Sequence, residues 1–430
     1  MSTSSSLAKR VPSIDRFRGL IIFCMIMFQF AEHFKNLGKL ATLSHHAPSE
    51  DAFYILPNLA AADLIASMFI LAIGLTFIPS LHKRIEKFGK KAAVLHCVKR
   101  YLILIGIGMT MNGINDILDG NKDTLSLTAI VLTIIVLIMG LIALILKFAK
   151  VKSRDKFYNI YSLYMSAVGV FTIAVAAVNA VMFVTGKTNS SYGHWLVLQH
   201  IGFAGLVSIP FALIPGKKGH YIRLASGIGL LALFALFHET DLTWDMFASN
   251  RELIDGVADG GFIGGFAWGA MLILYLFFAE EFRNRKNKYL PPVSFGIFTL
   301  IVAALILAEF KTLPETGTWA GALSGFLPIN KGSVSPSFVI ITTYISLFAF
   351  YIFELFNFIT TKFDILAWWG KNPILMYCIE FAVIGGLNAA LEGYFETAPV
   401  GISAVIIIVV GIALSAVAYI LDKKNIIIKL

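Results

Sequence analysis

Read along its length, the chain alternates between long apolar runs and short polar segments. The runs lie near residues 18–34, 59–81, 99–118, 125–148, 158–184, 194–215, 222–238, 258–280, 292–312, 335–359, 367–391 and 399–421. Each is close to the roughly 20 residues that an α-helix needs to cross a hydrocarbon core. The pattern predicts an all-α fold, a polytopic integral membrane helix bundle of about 12 transmembrane helices. No polar stretch is long enough for a separate soluble domain, so one transmembrane domain over residues 1–430 is expected.

The polar segments alternate in charge. With the N-terminus inside, the inner segments hold 28 of the 35 Lys and Arg, from Lys9 and Arg10 through a dense stretch between Lys83 and Arg100 to Lys423, Lys424 and Lys429. The outer segments are acidic, with Asp116, Asp119 and Asp123, then Glu239, Asp241, Asp245, Glu252 and Asp255. A bias of this size over short loops is the positive-inside signature, and it predicts both termini on the cytoplasmic side. The net charge of +9 is therefore a topology device rather than a nucleic-acid footprint, and no nucleic-acid partner is expected.

Composition agrees: 57% of the residues are hydrophobic and only 14% charged, against about 25% charged in soluble domains. The lipid bilayer is thus the principal environment, with the cell membrane as the expected location. Cys24, Cys97 and Cys378 have no paired spacing, so neither a disulfide nor a metal site is expected. The run after Arg18 is too long for a cleavable signal. Residues 256–269 carry small residues three and four apart, a helix-packing stripe. The Gly- and Pro-rich loop 313–334 reads as a lid or re-entrant segment on the outer side.

Ionisable groups inside spans are the best functional pointers. Asp63 sits about one turn inside the outer end of the second span. Glu32 and His33 end the first, and His45 and His46 lie in the loop between the two. His194 and His200 flank Gln199 on the sixth, and Glu354 and Glu380 lie in the tenth and eleventh. The short loop brings an imidazole, from His45 or His46, near the Asp63 carboxylate at one membrane face. Such a pair suits general acid–base work near neutrality, because the carboxylate fixes the tautomer and stabilises the imidazolium.

Several segments together resemble the heparan-alpha-glucosaminide N-acetyltransferase family of transmembrane acyltransferases. Ser13-Ile14-Asp15-Arg16-Phe17-Arg18-Gly19 is similar to its S-x-D-x-x-R-G, and Asp63-Leu64 with Phe69 and Gly74 to its D-L-x4-F-x4-G. The basic stretch ending at Arg100 is followed by Asn112-Gly113. Then come Leu198-Gln199, Asp255-Gly256, Pro328-Ile329-Asn330-Lys331 with Ser337-Phe338, and Gly370-Lys371-Asn372-Pro373-Ile374-Leu375-Met376-Tyr377. The resemblance skips residues 125–185, an extra helical pair relative to the family. The chain departs from the family at Ser67 for Pro, His200 for Arg and Val334 for Trp, so the acceptor site is expected to depart from one for an amino sugar.

The resemblance implies acetyl transfer across the membrane. Acetyl-CoA is the implied donor, bound from the cytoplasm, and a hydroxyl or amine, typically of a sugar or glycan, is the outer acceptor. The family histidine, in a His-Ala context, falls on His46-Ala47, with His45 and His33 as alternates, and Asp63 is its partner. Arg18, Arg100, Asn112, Gln29, Gln199, His200, Asn330, Lys331 and Asn372 are the implied donor-binding set. Within it Arg18 and Arg100 suit the CoA phosphates, and Gln29 or Asn112 a developing oxyanion. A homodimer is compatible with this reading. The competing functions are a secondary transporter using Asp63 as a proton or ion site, which predicts internal repeats that the seven landmarks do not form, and a non-catalytic scaffold.

Overall fold

A computed structural model of the chain describes residues 12–47, 49, 51–120, 124–148, 154–186, 195–239, 258–287, 289–311, 329–356, 364–391 and 393–424. The protein is an all-α polytopic membrane protein. Among the described residues, seven helices are long and apolar enough to cross a membrane, and three shorter apolar helices accompany them. The elements fall into two compact units, each described by itself.

The first unit comprises residues up to Leu75, Glu281–Ile329 and Ile341–Lys429. It opens with α1 (Pro12–Glu32), which starts six residues before the apolar run, because the polar Ser13–Gly19 segment is itself helical. Pro12 is the first helical residue, where its missing N–H is of no consequence. The polar segment pins α1 to α11 (Ile365–Lys371). A Cβ at Gly19 would land on the Leu366 carbonyl oxygen, and one at Gly370 on the Asp15 carbonyl oxygen. Only a pair of glycines lets two backbones come this close. Arg16 Nε, 2.6 Å from Asp364 Oδ2, locks the same contact, and Asp364 Oδ1 caps α11 by accepting from Ala367 N at 3.1 Å.

The eleventh predicted span is broken: α11 stops at Lys371, and α12 (Pro373–Ala390) starts afresh. Pro373 has no N–H to offer the preceding turn and is favoured at a helix start, so the Asn372-Pro373 step divides one apolar run into two helices. The unit ends with a short helix, α13 (Tyr394–Thr397), and with α14 (Val400–Lys423). The Trp369 indole donates to Ser415 Oγ of α14 at 3.1 Å, inside a core that includes Ile22, Phe30 and Leu414.

α2 runs from Asp63 to Phe88 and contains Pro79. A proline inside a helix leaves the carbonyl four residues back without its donor, here that of Leu75. Arg283 Nη2 takes up this carbonyl at 3.0 Å, and one turn earlier Arg18 Nη2 donates to the Ala72 carbonyl at 2.9 Å. The two arginines thus serve the backbone of a proline-interrupted helix. Arg283 belongs to α8 (Gly261–Asn284).

The second unit comprises Thr76–Glu280 and Asn330–Ile340. α3 (Lys90–Asp119) is its organiser, with α4 (Thr124–Phe148), α5 (Arg154–Val184) and α6 (Val197–Ala212) packed on it. Residues 125–185, expected as an additional helical pair, fold as α4 and α5, and Thr133 Oγ1 of α4 donates to the Thr110 carbonyl of α3 at 3.2 Å. α7 (Gly216–Glu239) follows. Its Arg223, 1% exposed, donates from Nη1 to the Phe211 and Ile214 carbonyls at 3.0 Å each, satisfying the C-terminal end of α6. Glu280, paired with Arg223 and with His220 at 3.0 Å, balances the buried charge.

The basic stretch between Lys83 and Arg100, expected as a loop, is helical. α2 and α3 continue through it, and Gly89 alone, at φ +82°, turns the chain. Lys, Arg, Glu and Ala are good helix formers, and the apolar run marks the membrane rather than the end of the helix. α9 (Val293–Lys311) and α10 (Pro336–Leu355) complete the helices. The expected lid falls largely on residues 312–328, outside the described residues; its end, 329–335, forms a tight turn ahead of α10.

Candidate active site

The connection from α1 to α2 carries the catalytic candidates. A 3₁₀ stretch (Lys35–Leu40) and a run of turns lead to a two-stranded hairpin, β1 (Tyr54–Leu56) and β2 (Leu59–Ala60). Asn58, buried and at φ +58°, turns this hairpin, as asparagine readily does in the left-handed region. The hairpin shortens the expected second helix. α2 begins at Asp63, not near residue 59, so Asp63 occupies the first position rather than a point one turn inside.

That shift sets the electrostatics. Asp63 is fully buried, yet its carboxylate lies at a helix N-terminus, the favourable end for negative charge. Oδ2 accepts from Ala60 N at 2.8 Å and from Ala47 N at 3.4 Å, and Oδ1 meets His46 Nδ1 at 2.7 Å. With Nδ1–H donating to the carboxylate, the lone pair of the neutral ring is on Nε2. The His46 side chain is 51% exposed, so a buried carboxylate orients an imidazole that opens outward. This is the base-and-orienter geometry of nucleophile activation.

Of the other histidines in this connection, His45 is half-buried, and its Nδ1 has no partner among the described residues. His33 follows α1, and burial, opposed by the adjacent Glu32 charge, pushes its pKa below the ordinary histidine value. Among the described contacts, the bond to Asp63 is made by His46. Tyr54, missed in the sequence, lies in the same loop. Its hydroxyl donates to the Ser49 carbonyl at 3.0 Å, and burial, with the Asp63 charge as second cause, raises its pKa. A lone tyrosine in a polar loop carries no sequence signal; the hairpin brings it within reach of the Asp63 charge.

The implied donor-binding residues are divided between the units. Arg18, Gln29 and Asn372 belong to the first. Arg18 holds the α2 backbone and lies 4.0 Å from Asp15, Gln29 is exposed on α1, and Asn372 is buried at the α11–α12 break. Arg100, Asn112, Gln199, His200, Asn330 and Lys331 belong to the second. Arg100 is half-buried with its guanidinium 5.9 Å from the Tyr101 ring centre, while Asn112 on α3 and Gln199 on α6 are buried. Lys331 pairs with Asp259 at 3.1 Å, and the Asn330 side chain accepts from Ser333 N at 3.3 Å. His194 lies outside the described residues.

Residues 10–118 match the family described as heparan-alpha-glucosaminide N-acetyltransferase, catalytic. This segment is heparan-alpha-glucosaminide N-acetyltransferase-like. It contains the Ser13–Gly19 motif, His46, Asp63 and Asn112, so both members of the histidine–carboxylate pair lie in the matched region. The later landmarks, from Gln199 to Asn372, lie beyond the N-acetyltransferase-like segment. No curated protein matches the chain. The match and the apolar helices together support a membrane acetyltransferase.

Proposed function

We propose that the protein transfers an acetyl group from acetyl-CoA, bound at its basic cytoplasmic face, to a hydroxyl or amine of a sugar at the opposite face. His46 is the general base. The observation that carries this reading is the 2.7 Å contact between His46 Nδ1 and the buried Asp63 carboxylate, inside the segment that matches an acetyltransferase catalytic domain.

In the reaction the acceptor lone pair attacks the thioester carbonyl while His46 Nε2 takes the acceptor proton. Asp63 stabilises the imidazolium that forms. The tetrahedral intermediate collapses with cleavage of the C–S bond, and the imidazolium returns the proton to the departing thiolate. Within the unit that carries His46, Arg18 supplies charge for the CoA phosphates and Gln29 an amide donor for the oxyanion. Both termini then face the cytoplasm.

The test is purified full-length protein, radiolabelled acetyl-CoA and a panel of cell-envelope sugars. Label is expected on at least one acceptor. His46→Ala should lower transfer by about 100- to 10,000-fold, the usual contribution of a positioned base, with melting temperature unchanged. Undiminished transfer by His46→Ala, or the absence of any labelled acceptor, would overturn the assignment.

A further inference from the structure

One ionisable group of the first unit has no part in acyl transfer. Glu380 lies near the middle of α12, about 10 Å along the helix axis from its Pro373 start. Only 5% of it is exposed. Met376 and Ile384, one turn before and one turn after it and so on the same face, belong to the core that α12 shares with Ile22, Met25 and Ile26 of α1 and Leu414 of α14. The carboxyl is therefore enclosed by hydrocarbon rather than by water.

The charges of the surrounding helices are committed elsewhere. Arg16 pairs with Asp364 at 2.6 Å, Lys371 pairs with Asp422, and Arg18 serves the α2 backbone beside Asp15. Lys423 lies against the Tyr419 ring, and Glu32 closes the far end of α1. Among the described residues no hydrogen bond or ion pair reaches the Glu380 carboxyl, and the titratable groups within its electrostatic reach are Tyr377 and Cys378 of its own helix. An ionised carboxylate without a cation is strongly disfavoured in such surroundings. A hard metal cation would need several further oxygen ligands, and no group of three metal-ligating side chains occurs among the described residues. A proton needs neither a cavity nor a second ligand.

We propose that Glu380 is a proton-binding site inside the membrane, a carboxylic acid that exchanges its proton with water at the bilayer surface. The helix break at Asn372-Pro373 stands about two turns away, between the acid and the charged end of α11 at Lys371. The last carbonyls of a helix lack intrahelical donors, so this break supplies polar backbone part of the way to the surface. Ion sites of membrane proteins gather at such discontinuous helices. The inference goes beyond acyl transfer and does not depend on it.

Infrared spectroscopy reads the acid directly, because a carboxylic acid absorbs apart from a carboxylate and shifts when deuterium replaces its proton. The full chain is placed, near neutral pH, in nanodiscs of diether phosphatidylcholine, whose lipids carry no ester carbonyl. Subtracting the spectrum of Glu380→Gln from that of the parent is expected to leave a carboxylic-acid band with no matching carboxylate band. In D₂O that band should move to lower frequency, as it does only where the proton leaves and is replaced. Glu380→Asp should keep an acid band at an altered frequency, which identifies the residue even where the glutamine variant fails to fold. His46→Ala should retain the Glu380 band in full, which separates this site from the transfer reaction. The proposal is overturned if the subtraction leaves a carboxylate in place of the acid, if it leaves no carboxyl band, or if the band stays unmoved in D₂O.

Discussion

Replacing Asp63 by Asn separates orientation of the base from stability of the fold. Both backbone donors, Ala60 N and Ala47 N, converge on Oδ2, while Oδ1 alone faces His46 Nδ1. An asparagine with its oxygen at the Oδ2 position keeps both backbone bonds and turns its NH₂ toward the imidazole. The hydrogen bond survives with its direction reversed: Nδ1 now accepts, Nε2 carries the proton, and the ring cannot take one from an acceptor. Stability should fall little, by about 1–2 kcal/mol for a charge-assisted bond made neutral and about 0.3–1 kcal/mol for lost interaction with the helix end. Transfer should fall about 100- to 10,000-fold, or about 3–5 kcal/mol of barrier at 1.36 kcal/mol per decade. Asp63→Ala strands both amides and should also melt lower, by about 2–4 kcal/mol. Initial rates of label transfer and thermal unfolding of the three proteins decide the matter. Asp63→Asn within threefold of the parent rate would refute the tautomer argument, and Asp63→Asn melting as low as Asp63→Ala would refute the hydrogen-bond assignment.

Gly370→Ala should destabilise by about 1–3 kcal/mol through overpacking against the Asp15 carbonyl. Gly386→Ala, whose Cβ meets open space, should melt no lower than the parent, and both are read by thermal unfolding. Arg283→Met should cost about 1–3 kcal/mol by abandoning the Leu75 carbonyl. It should cost less in a Pro79→Ala background, where residue 79 regains an N–H for that carbonyl; a double-mutant cycle of unfolding free energies measures the difference.

Much of this architecture is written in hydropathy, because lipid demands long apolar runs and internally satisfied backbone. Every apolar run contains a helix among the described residues, although the second opens in a strand and the eleventh divides in two. What hydropathy does not encode is where a helix continues into water, and the Lys83–Arg100 stretch and the polar start of α1 carry their helices beyond the apolar runs. It also passes over a single Asn372-Pro373 step inside an apolar run. The His46–Asp63 pair was accessible because the residues are 17 apart on one connection and chemically complementary. The two- and three-residue strands of the hairpin that carries Tyr54 are too short to show any periodicity. Arg16 and Asp364 stand 348 positions apart, and only packing reveals that they meet.

The start of α2 has a consequence for how activity is acquired. The carboxylate that aims the imidazole is also the opening residue of a helix, and the amides it gathers come from both sides of the loop it closes. Until that first turn winds, the histidine has nothing to steer it. On the proposed mechanism, competence for chemistry arrives together with helix nucleation, and a ligand that frays this terminus is expected to lower transfer without touching the ring.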